Sequence, residues 1–285
     1  MISRRIETIA ASAAEYPRAL LDLEVVPDPL FAIGDLEVLR KPLVSIVGTR
    51  DATAYGLRTA RALASSLARA GVGVVSGMAR GIDAAVHRAA LDAGGVTVAV
   101  LGTGVDVPYP VGHAELHRLI SDRGLVLSES GSGTTAHQGS FPKRNRIIAA
   151  LGLATIVVEA GHKSGALNTA KHALELGRTL AAVPGSIDSP QSAGANHLLR
   201  DGAVVIASIA DALALAGVAD VGQSQPMQLG DADSRVWTAL GGETLSVDLV
   251  ASRTQLSTRE CLAAITSLEL SGIVESLITG EVRRR

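Results

Sequence analysis

Three cations and one of the chain's two phenylalanines lie within six residues, Phe141-Pro142-Lys143-Arg144-Asn145-Arg146. The apolar run at 147–151 predicts a helix over 144–151. Cations at a helix start oppose the macrodipole, so the arrangement indicates an anion where the cations and free backbone N–H groups converge. An aromatic ring beside a basic cluster can also stack on an unpaired base. The cluster therefore predicts a site for a single-stranded nucleic acid.

A solvated basic turn is the alternative interpretation of the same six residues. In that case the arginines would pair with Glu129 or Glu159, and no ligand would be needed. Each of these carboxylates is also a candidate catalytic group, although a role in orienting the basic cluster is the simpler expectation.

Composition limits the class of protein. The 285 residues are 47% hydrophobic and 19% charged, with a formal net charge of -2, so nucleic-acid binding would depend on a local patch. The single cysteine, Cys261, permits no internal disulfide and no cysteine-based zinc site, which fits a reducing cytoplasm. Residues 1–11 carry no secretory signal and no apolar stretch reaches membrane-spanning length. We therefore expect a cytoplasmic protein without a membrane partner.

Short β-branched runs alternate with alanine-rich segments of helical period from residue 43 onward. This pattern predicts an α/β fold of repeated βαβ units, with a buried parallel sheet and helices on both faces. Predicted strands cover 43–47, 72–76, 96–101, 125–128, 154–158, 179–183 and 203–207, and predicted helices cover 56–70, 82–93, 113–121, 144–151 and 167–176. The loops at the carboxyl ends of such strands line the ligand crevice.

Changes in pattern divide the chain into segments. We expect an amino-terminal lead-in segment over 1–40, a ligand-binding domain over 41–215, and a linker over 216–230, where periodicity is lost and Gly, Ser and Pro collect. Residues 231–285 predict a small winged helix-turn-helix domain with helices at 234–240, 246–252 and 258–270, then a hairpin over 273–278 and 281–285.

The longest helix of the small domain has clear end signals. Ser257 and Glu260 form a capping box at its start, and Gly272 can close it. Its exposed face carries few cations; Arg253, Arg259 and residues 283–285 are available. The domain can therefore be interpreted as binding DNA, binding a protein, or packing on its own chain.

Glycine-rich and polar motifs follow the predicted strands in order. They are Gly48-Thr49-Arg50, the run 76–83, Gly102-Thr103-Gly104, Ser128-Glu129, the basic cluster 141–146 and the run 164–170. Together with Tyr16-Pro17, Tyr109-Pro110, Val183-Pro184-Gly185 and Gly194-x-Asn196, this set closely resembles the DprA/Smf family of bacterial DNA-processing proteins. The resemblance extends from about residue 16 to residue 203.

The resemblance implies an extended Rossmann-like fold that binds single-stranded DNA, shields it from nucleases and helps load RecA recombinase during natural transformation. It also implies a homodimer, and it implies no chemical turnover. Two departures concern regions outside the proposed DNA site. Too few residues precede Tyr16 for the amino-terminal helical domain of longer members, and the small carboxy-terminal domain varies within the family.

The candidate DNA contacts fall into three groups. Arg50 offers a fork of donors to phosphate oxygens after a turn that Gly48 permits. Two helix starts, after 76–81 and after 164–165, offer bare N–H groups to further phosphates. The basic cluster supplies charge, a donor in Asn145, and a ring for stacking. The full predicted set is Gly48, Thr49, Arg50, Ser76, Gly77, Arg80, Gly81, Phe141, Lys143, Arg144, Asn145, Arg146, Ser164, Gly165 and Thr169.

Other polar groups have structural explanations. Asp83 and His87 lie four residues apart and could be an acid-base pair, but a helix-capping carboxylate and a packed histidine are the expected roles. The order His113-Ala-Glu-Leu-His117 is not the zinc-protease pattern, and Gly102-Thr103-Gly104 lacks the third glycine of a dinucleotide fingerprint. We therefore expect no metal, no cofactor and no catalytic residues.

Two competing functions remain open. Related folds include phosphoribohydrolases with a Pro-Gly-Gly-x-Gly-Thr signature and a downstream glutamate, but residues 159–165 here are Glu-Ala-Gly-His-Lys-Ser-Gly. The third interpretation is a nucleotide-sensing adaptor whose winged helix contacts a partner, as its weak basic character allows.

Overall fold

The computed structural model describes residues 5–137, 139–218, 230–241, 243–270, 273–277 and 280–284. The chain divides into two compact units, Met1–Val221 and Gly222–Arg285. Each unit buries a hydrophobic core of its own. Most of the predicted linker, residues 219–229, lies outside the described residues.

The large unit contains a nine-stranded, mostly parallel sheet. Its strands are β1 (Glu7–Ile9), β2 (Leu30–Gly34), β3 (Leu43–Val47), β4 (Gly73–Ser76), β5 (Thr97–Leu101), β6 (Leu125–Ser128), β7 (Ala154–Val157), β8 (Thr179–Ala182) and β9 (Val204–Val205). They are ordered β1-β2-β6-β5-β4-β3-β7-β8-β9. Strands β3 to β9 pair in parallel, whereas β2 pairs antiparallel with β6 and β1 with β2.

Helices cover both faces of this sheet. They are α1 (Ala54–Arg69), α2 (Ile82–Asp92), α3 (Ala114–Arg123), α4 (Ser140–Leu151), α5 (Ala166–Glu175), α6 (Ala193–Arg200) and α7 (Ile209–Leu215), with short 3-10 turns at Arg18–Asp22, Leu36–Arg40 and Val111–His113. Successive strand residues point to opposite faces, so Val44 and Ile46 pack with α1 and α2 while Leu43 and Val47 pack with α4 and α5. The predicted fold class is confirmed.

Three features of the large unit differ from the sequence-based expectation. The lead-in segment is part of the sheet, because β1 and β2 extend it beyond β6. Helices α6 and α7 were not predicted. Helix α4 begins at Ser140 rather than at Arg144, after Gly139 with a φ of 91°. Pro142 is accommodated there because the first turn of a helix does not need its N–H.

The small unit has the winged-helix arrangement that the sequence predicts. Helices α8 (Asp231–Leu240), α9 (Val247–Thr254) and α10 (Thr258–Leu270) accompany a sheet of β10 (Leu245–Ser246), β11 (Val274–Ser276) and β12 (Glu281–Arg284) in the order β10-β12-β11. The capping box is present, since the Glu260 N–H donates to Ser257 Oγ at 3.3 Å and the Ser257 N–H donates to Glu260 Oε2 at 2.9 Å. Gly272, Ile278 and Arg285 lie outside the described residues.

No helix in the described part of the chain has both the length and the apolar character needed to cross a membrane.

Candidate nucleic-acid interface

A crevice of about 570 Å³ opens at the carboxyl edge of the sheet, where β3 lies beside β7. The chain moves from β3 through β4 and β5 to β6 and then returns to β7, so this is the point at which strand order reverses. Parallel α/β sheets bind ligands at such a switch point. Predicted site residues that line the crevice are Gly48, Thr49, Arg50, Phe141, Arg144, Asn145, Ser164, Gly165 and Thr169.

Arg50 and Phe141 meet at the mouth of the crevice. The exposed Arg50 guanidinium carbon lies 5.8 Å from the centre of the Phe141 ring. The ring of Tyr109, from the loop between β5 and α3, lies on Phe141 with the centroids 4.9 Å apart. A guanidinium that can bind phosphate is thus placed beside two rings that can stack on bases.

Backbone contacts fix the loop that carries Arg50. The Thr49 N–H donates to the Glu159 carbonyl at 2.7 Å, and the Ile82 N–H donates to the Thr49 carbonyl at 3.3 Å. A side chain at Gly48 would place its Cβ 2.5 Å from Ile82 Cγ1, and Gly81 has a φ of 76°. The two glycines therefore allow the loops after β3 and β4 to approach each other closely.

Arg144 points into the protein rather than towards the solvent. It is 5% exposed, and its Nη1 donates to the Gly77 carbonyl at 2.8 Å and also to the Val100 carbonyl. A Cβ added at Gly77 would lie 2.5 Å from Arg144 Nη2, so the guanidinium occupies the space that the glycine leaves. Burial lowers the pKa of Arg144 to about 10, and Asp83 opposes this shift.

Asp83 lies on the other side of the Gly77 peptide. Its Oδ2 accepts hydrogen bonds from the Gly77 N–H at 3.2 Å and the Ala79 N–H at 3.4 Å. The turn between them passes through Met78 with a φ of 57°. Burial raises the pKa of Asp83, while the positive charge of Arg144 lowers it. The expectation that Asp83 caps a helix is wrong, because its carboxylate bonds to the loop before α2, and the N-cap of α2 is Gly81.

This geometry corrects one expectation about the start of α2. The helix start after residues 76–81 was predicted to offer bare N–H groups to a phosphate, with Gly77 as a site residue, but the Gly77 N–H is occupied by Asp83. The Ser76 hydroxyl is fully buried and donates to the Ile46 carbonyl at 2.7 Å. Arg80 is exposed in the same loop but does not line the crevice. In the first turn of α2 itself, the Ile82 N–H donates to the Thr49 carbonyl and the Ala84 N–H donates to the Ala79 carbonyl, so these N–H groups are also occupied by the protein.

Asn145 links α4 to the start of α5. Its Nδ2 donates to Asn168 Oδ1 at 3.0 Å and to the Gly165 carbonyl at 3.3 Å. The side chain is almost fully buried, at 9% exposed. Asn145 therefore holds two walls of the crevice together.

Arg146 pairs with Glu129, as the alternative interpretation predicts, and Lys143 pairs with the same carboxylate. Lys143 Nζ lies 3.1 Å from Glu129 Oε2, and Arg146 Nη2 lies 2.8 Å from the same oxygen. The Lys143 side chain remains 62% exposed, whereas that of Arg146 is 11% exposed. Because consecutive side chains diverge around a helix, the three cations of the cluster do not share one direction. One carboxylate faces two cations, which leaves a net positive charge.

Glu159 does not orient the cations, contrary to expectation. Its Oε2 accepts from the Thr53 N–H at 2.9 Å and its Oε1 accepts from the Thr53 hydroxyl at 2.5 Å, at the start of α1. The side chain is 2% exposed, and a Cβ at Gly56 would overlap it. Glu159 is therefore a buried cap for α1.

Sequence reasoning did not place Lys163 or Tyr109 among the site residues. Lys163, from the loop after β7, is exposed and lines the crevice together with Ser164 and Gly165. Tyr109 was noted within a family motif but not as a site residue. The available signal for Lys163 was its position directly after a predicted strand, where crevice residues are expected. The contact of Tyr109 with Phe141 had no such signal.

The histidines have structural partners. Thr97 Oγ1 donates to the Val74 carbonyl and so accepts from His87 Nδ1 at 2.7 Å, which leaves the buried Nε2 without a hydrogen-bond partner. Burial, together with the nearby charges of Arg144 and His113, lowers the pKa of His87 to about 3. His113 and His117 each bond to a backbone carbonyl. Within the described ranges, no three His, Cys, Asp or Glu residues are grouped to hold a metal ion.

Comparisons with known proteins agree with this architecture. The family model "DNA recombination-mediator protein A" matches residues 7–217, and the model "DprA winged helix domain" matches residues 223–278. A putative DNA processing protein DprA from Mycobacterium tuberculosis is 41% identical over an alignment 259 positions long, which covers 87% of this chain and 67% of that protein. Protein Smf from Escherichia coli is 35% identical over an alignment 288 positions long, which covers 97% of this chain and 77% of that protein.

Two solved structures are similar to this chain over about three quarters of its length. DNA processing protein A from Streptococcus pneumoniae matches with a TM-score of 0.71 and 40% identity, covering 74% of each chain. DNA processing protein A from Helicobacter pylori, whose structure addresses its single-stranded DNA binding mode, matches with a TM-score of 0.67 and 31% identity, covering 73% of this chain and 94% of that one. With a family model spanning most of its length, this chain belongs to the DprA/Smf family of DNA-processing proteins.

Proposed function

We propose that the large unit binds single-stranded DNA in the crevice, and that the protein protects this DNA and helps load RecA recombinase during natural transformation in the cytoplasm. The observation that carries the proposal is the exposed Arg50 guanidinium beside the Phe141 ring, at the switch point of a parallel sheet. The Helicobacter pylori relative, which binds single-stranded DNA, supports the same role.

In this proposal the exposed cations bind the DNA phosphates. Arg50 and Lys163 line the crevice, and Lys143 remains largely exposed although Glu129 contacts it. These side chains neutralise DNA phosphates, while the loops of Gly48 and Gly165 let the backbone of the ligand approach closely. Direct contacts from the remaining predicted residues stay a prediction.

The buried polar residues serve the crevice from within. Arg144 binds the loop after β4 and the strand β5, and Asn145 binds the start of α5. Neither side chain needs to touch DNA for its removal to weaken binding. Without them, the walls of the crevice, and the Phe141 ring on the first turn of α4, would be free to move.

Homodimerisation and a RecA contact follow from family membership in this proposal. Two crevices in one assembly would hold a single strand at a higher effective concentration than one crevice does. The small unit has six arginines, no lysine and eight acidic residues, a formal net charge of -2, so we assign strand binding to the large unit and leave the small unit to a partner.

The test is a titration of a labelled oligonucleotide across a salt series. Arg50→Ala should weaken binding and reduce the slope of log affinity against log salt by about 0.7 for each DNA phosphate that the variant no longer neutralises. Lys163→Ala should do the same. Arg69→Ala is the matched control, because this exposed arginine ends α1 at the opposite edge of the sheet. Unchanged affinity and slope in Arg50→Ala would remove the proposed site.

A further inference from the structure

We propose that Tyr109 forms a second stacking subsite for an unpaired nucleobase, next to Phe141. This inference rests on the proposed function. It adds the group of the ligand that is bound, a nucleobase, and the residue that binds it, Tyr109. The two rings make one aromatic platform, with centroids 4.9 Å apart and planes inclined by 33°.

Exposure distinguishes the two rings of this platform. Phe141 is only partly exposed, because Tyr109 lies on it and the Arg50 guanidinium is 5.8 Å from its centre. Tyr109 is 39% exposed. Tyr109 is therefore the more exposed residue of the platform, and a base can reach it while Arg50 stays beside Phe141.

The loop that carries Tyr109 is held on both sides of the residue. The Thr103 hydroxyl donates to the Val107 carbonyl at 2.7 Å, and the Val107 N–H donates to the Gly104 carbonyl at 2.9 Å. After Tyr109, the His113 N–H donates to the Pro110 carbonyl at 2.8 Å. A ring fixed in this way loses little conformational freedom when a base stacks on it.

Position also favours a base rather than a phosphate as the partner of Tyr109. Arg50 places a phosphate-binding group on the crevice side of Phe141, and Tyr109 extends the platform through a neutral ring. Aromatic faces accept any base, because every base has a π-face. Tyr109 is thus expected to contribute affinity with little sequence preference.

The alternative role for Tyr109 is that of a support that only holds Phe141 in place. The two roles differ in a Phe141→Leu background. A support has nothing left to orient there, whereas an independent subsite continues to bind a base.

The experiment compares wild type with Tyr109→Phe, Tyr109→Leu, Phe141→Leu and the double leucine variant. Each is titrated with an oligonucleotide that carries 2-aminopurine, whose fluorescence falls when it stacks. Tyr109→Leu should weaken binding about 5- to 150-fold, the range for loss of one base stack. It should also reduce the quenching while leaving the salt slope unchanged. Tyr109→Phe should bind within about twofold of wild type, because the ring is kept.

Tyr55→Leu is the control, since Tyr55 is similarly exposed at 42% but bonds to the Pro184 carbonyl and not to Phe141. It should leave affinity and quenching unchanged. The double variant should bind more weakly than Phe141→Leu alone, and equal affinities would overturn the subsite in favour of a support. Unchanged affinity and quenching in Tyr109→Leu would also overturn the subsite. The proposed DNA site would then still be tested separately by Arg50→Ala. Absence of salt-dependent binding by wild type would instead refute the proposed function itself.

Discussion

Replacing Arg144 by methionine tests the structural role of this buried arginine in the crevice. The change removes the guanidinium but keeps an unbranched apolar side chain in its place. It leaves the Gly77 and Val100 carbonyls without their donor and Asp83 without the positive charge that faces it. The side chain is 5% exposed, so water cannot readily replace the missing donor and charge.

The expected destabilisation at pH 7 is about 3 to 5 kcal/mol, the range found when one partner of a buried charge pair is removed. Most of it should depend on Asp83. In the double variant Arg144→Met with Asp83→Asn, no buried charge is left uncompensated, and a large part of the stability should return. Since domains are stable by about 5 to 15 kcal/mol, Arg144→Met should remain folded for measurement.

The destabilisation by Arg144→Met should depend on pH, in a direction set by the pKa of Asp83. Burial raises the pKa of Asp83 in the folded state, so ionised Asp83 costs stability above its unfolded pKa, and this cost disappears at lower pH. Arg144 reduces the cost by lowering that pKa. The difference in stability between wild type and Arg144→Met should therefore be largest near neutral pH and shrink as the pH falls towards about 4, the ordinary range of an aspartate.

Urea unfolding followed by far-UV circular dichroism at several pH values measures these differences. The single tryptophan, Trp237, belongs to the small unit and reports that unit separately. Arg69→Met, an exposed change of the same chemistry, should shift stability by no more than about 0.5 kcal/mol. An equal destabilisation by Arg144→Met with and without Asp83, or a destabilisation that does not vary with pH, would refute the reasoning.

Three further changes have defined outcomes. Gly77→Ala should lower the urea midpoint of the large unit, because the added Cβ would meet the Arg144 guanidinium. The control Gly165→Ala should leave the midpoint unchanged, because the space around Gly165 is open. Equal midpoints of the two variants would contradict the packing described. Wild type should lose stability as the pH falls from 6.5 to 3, because the buried imidazole of His87 binds its proton only on unfolding in that window. His87→Asn should reduce the slope of this loss by up to about 1.4 kcal/mol per pH unit. Parallel pH profiles of the two proteins would exclude this role of His87. Glu129→Gln should tighten oligonucleotide binding about two- to fivefold, because the exposed Lys143 ammonium would no longer be paired with this carboxylate. Weaker binding would show that the carboxylate is needed to orient the cations.

The central strands were predictable because each is a short apolar run buried on both faces. Strands β3 to β8 lie within one or two residues of their predicted bounds, and the polar motifs that follow several of them meet at one edge for the geometric reason that the strands are parallel. The lead-in strands β1 and β2 were missed because β2 pairs with β6, about ninety residues further along the chain, β1 joins the sheet only through β2, and short strands have no pattern of their own.

The basic cluster shows where sequence reasoning ends. Residue types and spacing indicated a polyanion site and its place in the fold, and the DprA/Smf resemblance rested on the same motifs. Only the tertiary structure decided that Arg144 turns inward to the Gly77 carbonyl, that Lys143 and Arg146 share Glu129, and that Tyr109 lies on Phe141. Hydrophobic periodicity encodes which segments are buried, but the direction and the partner of a charged or aromatic side chain depend on groups brought together from distant parts of the chain.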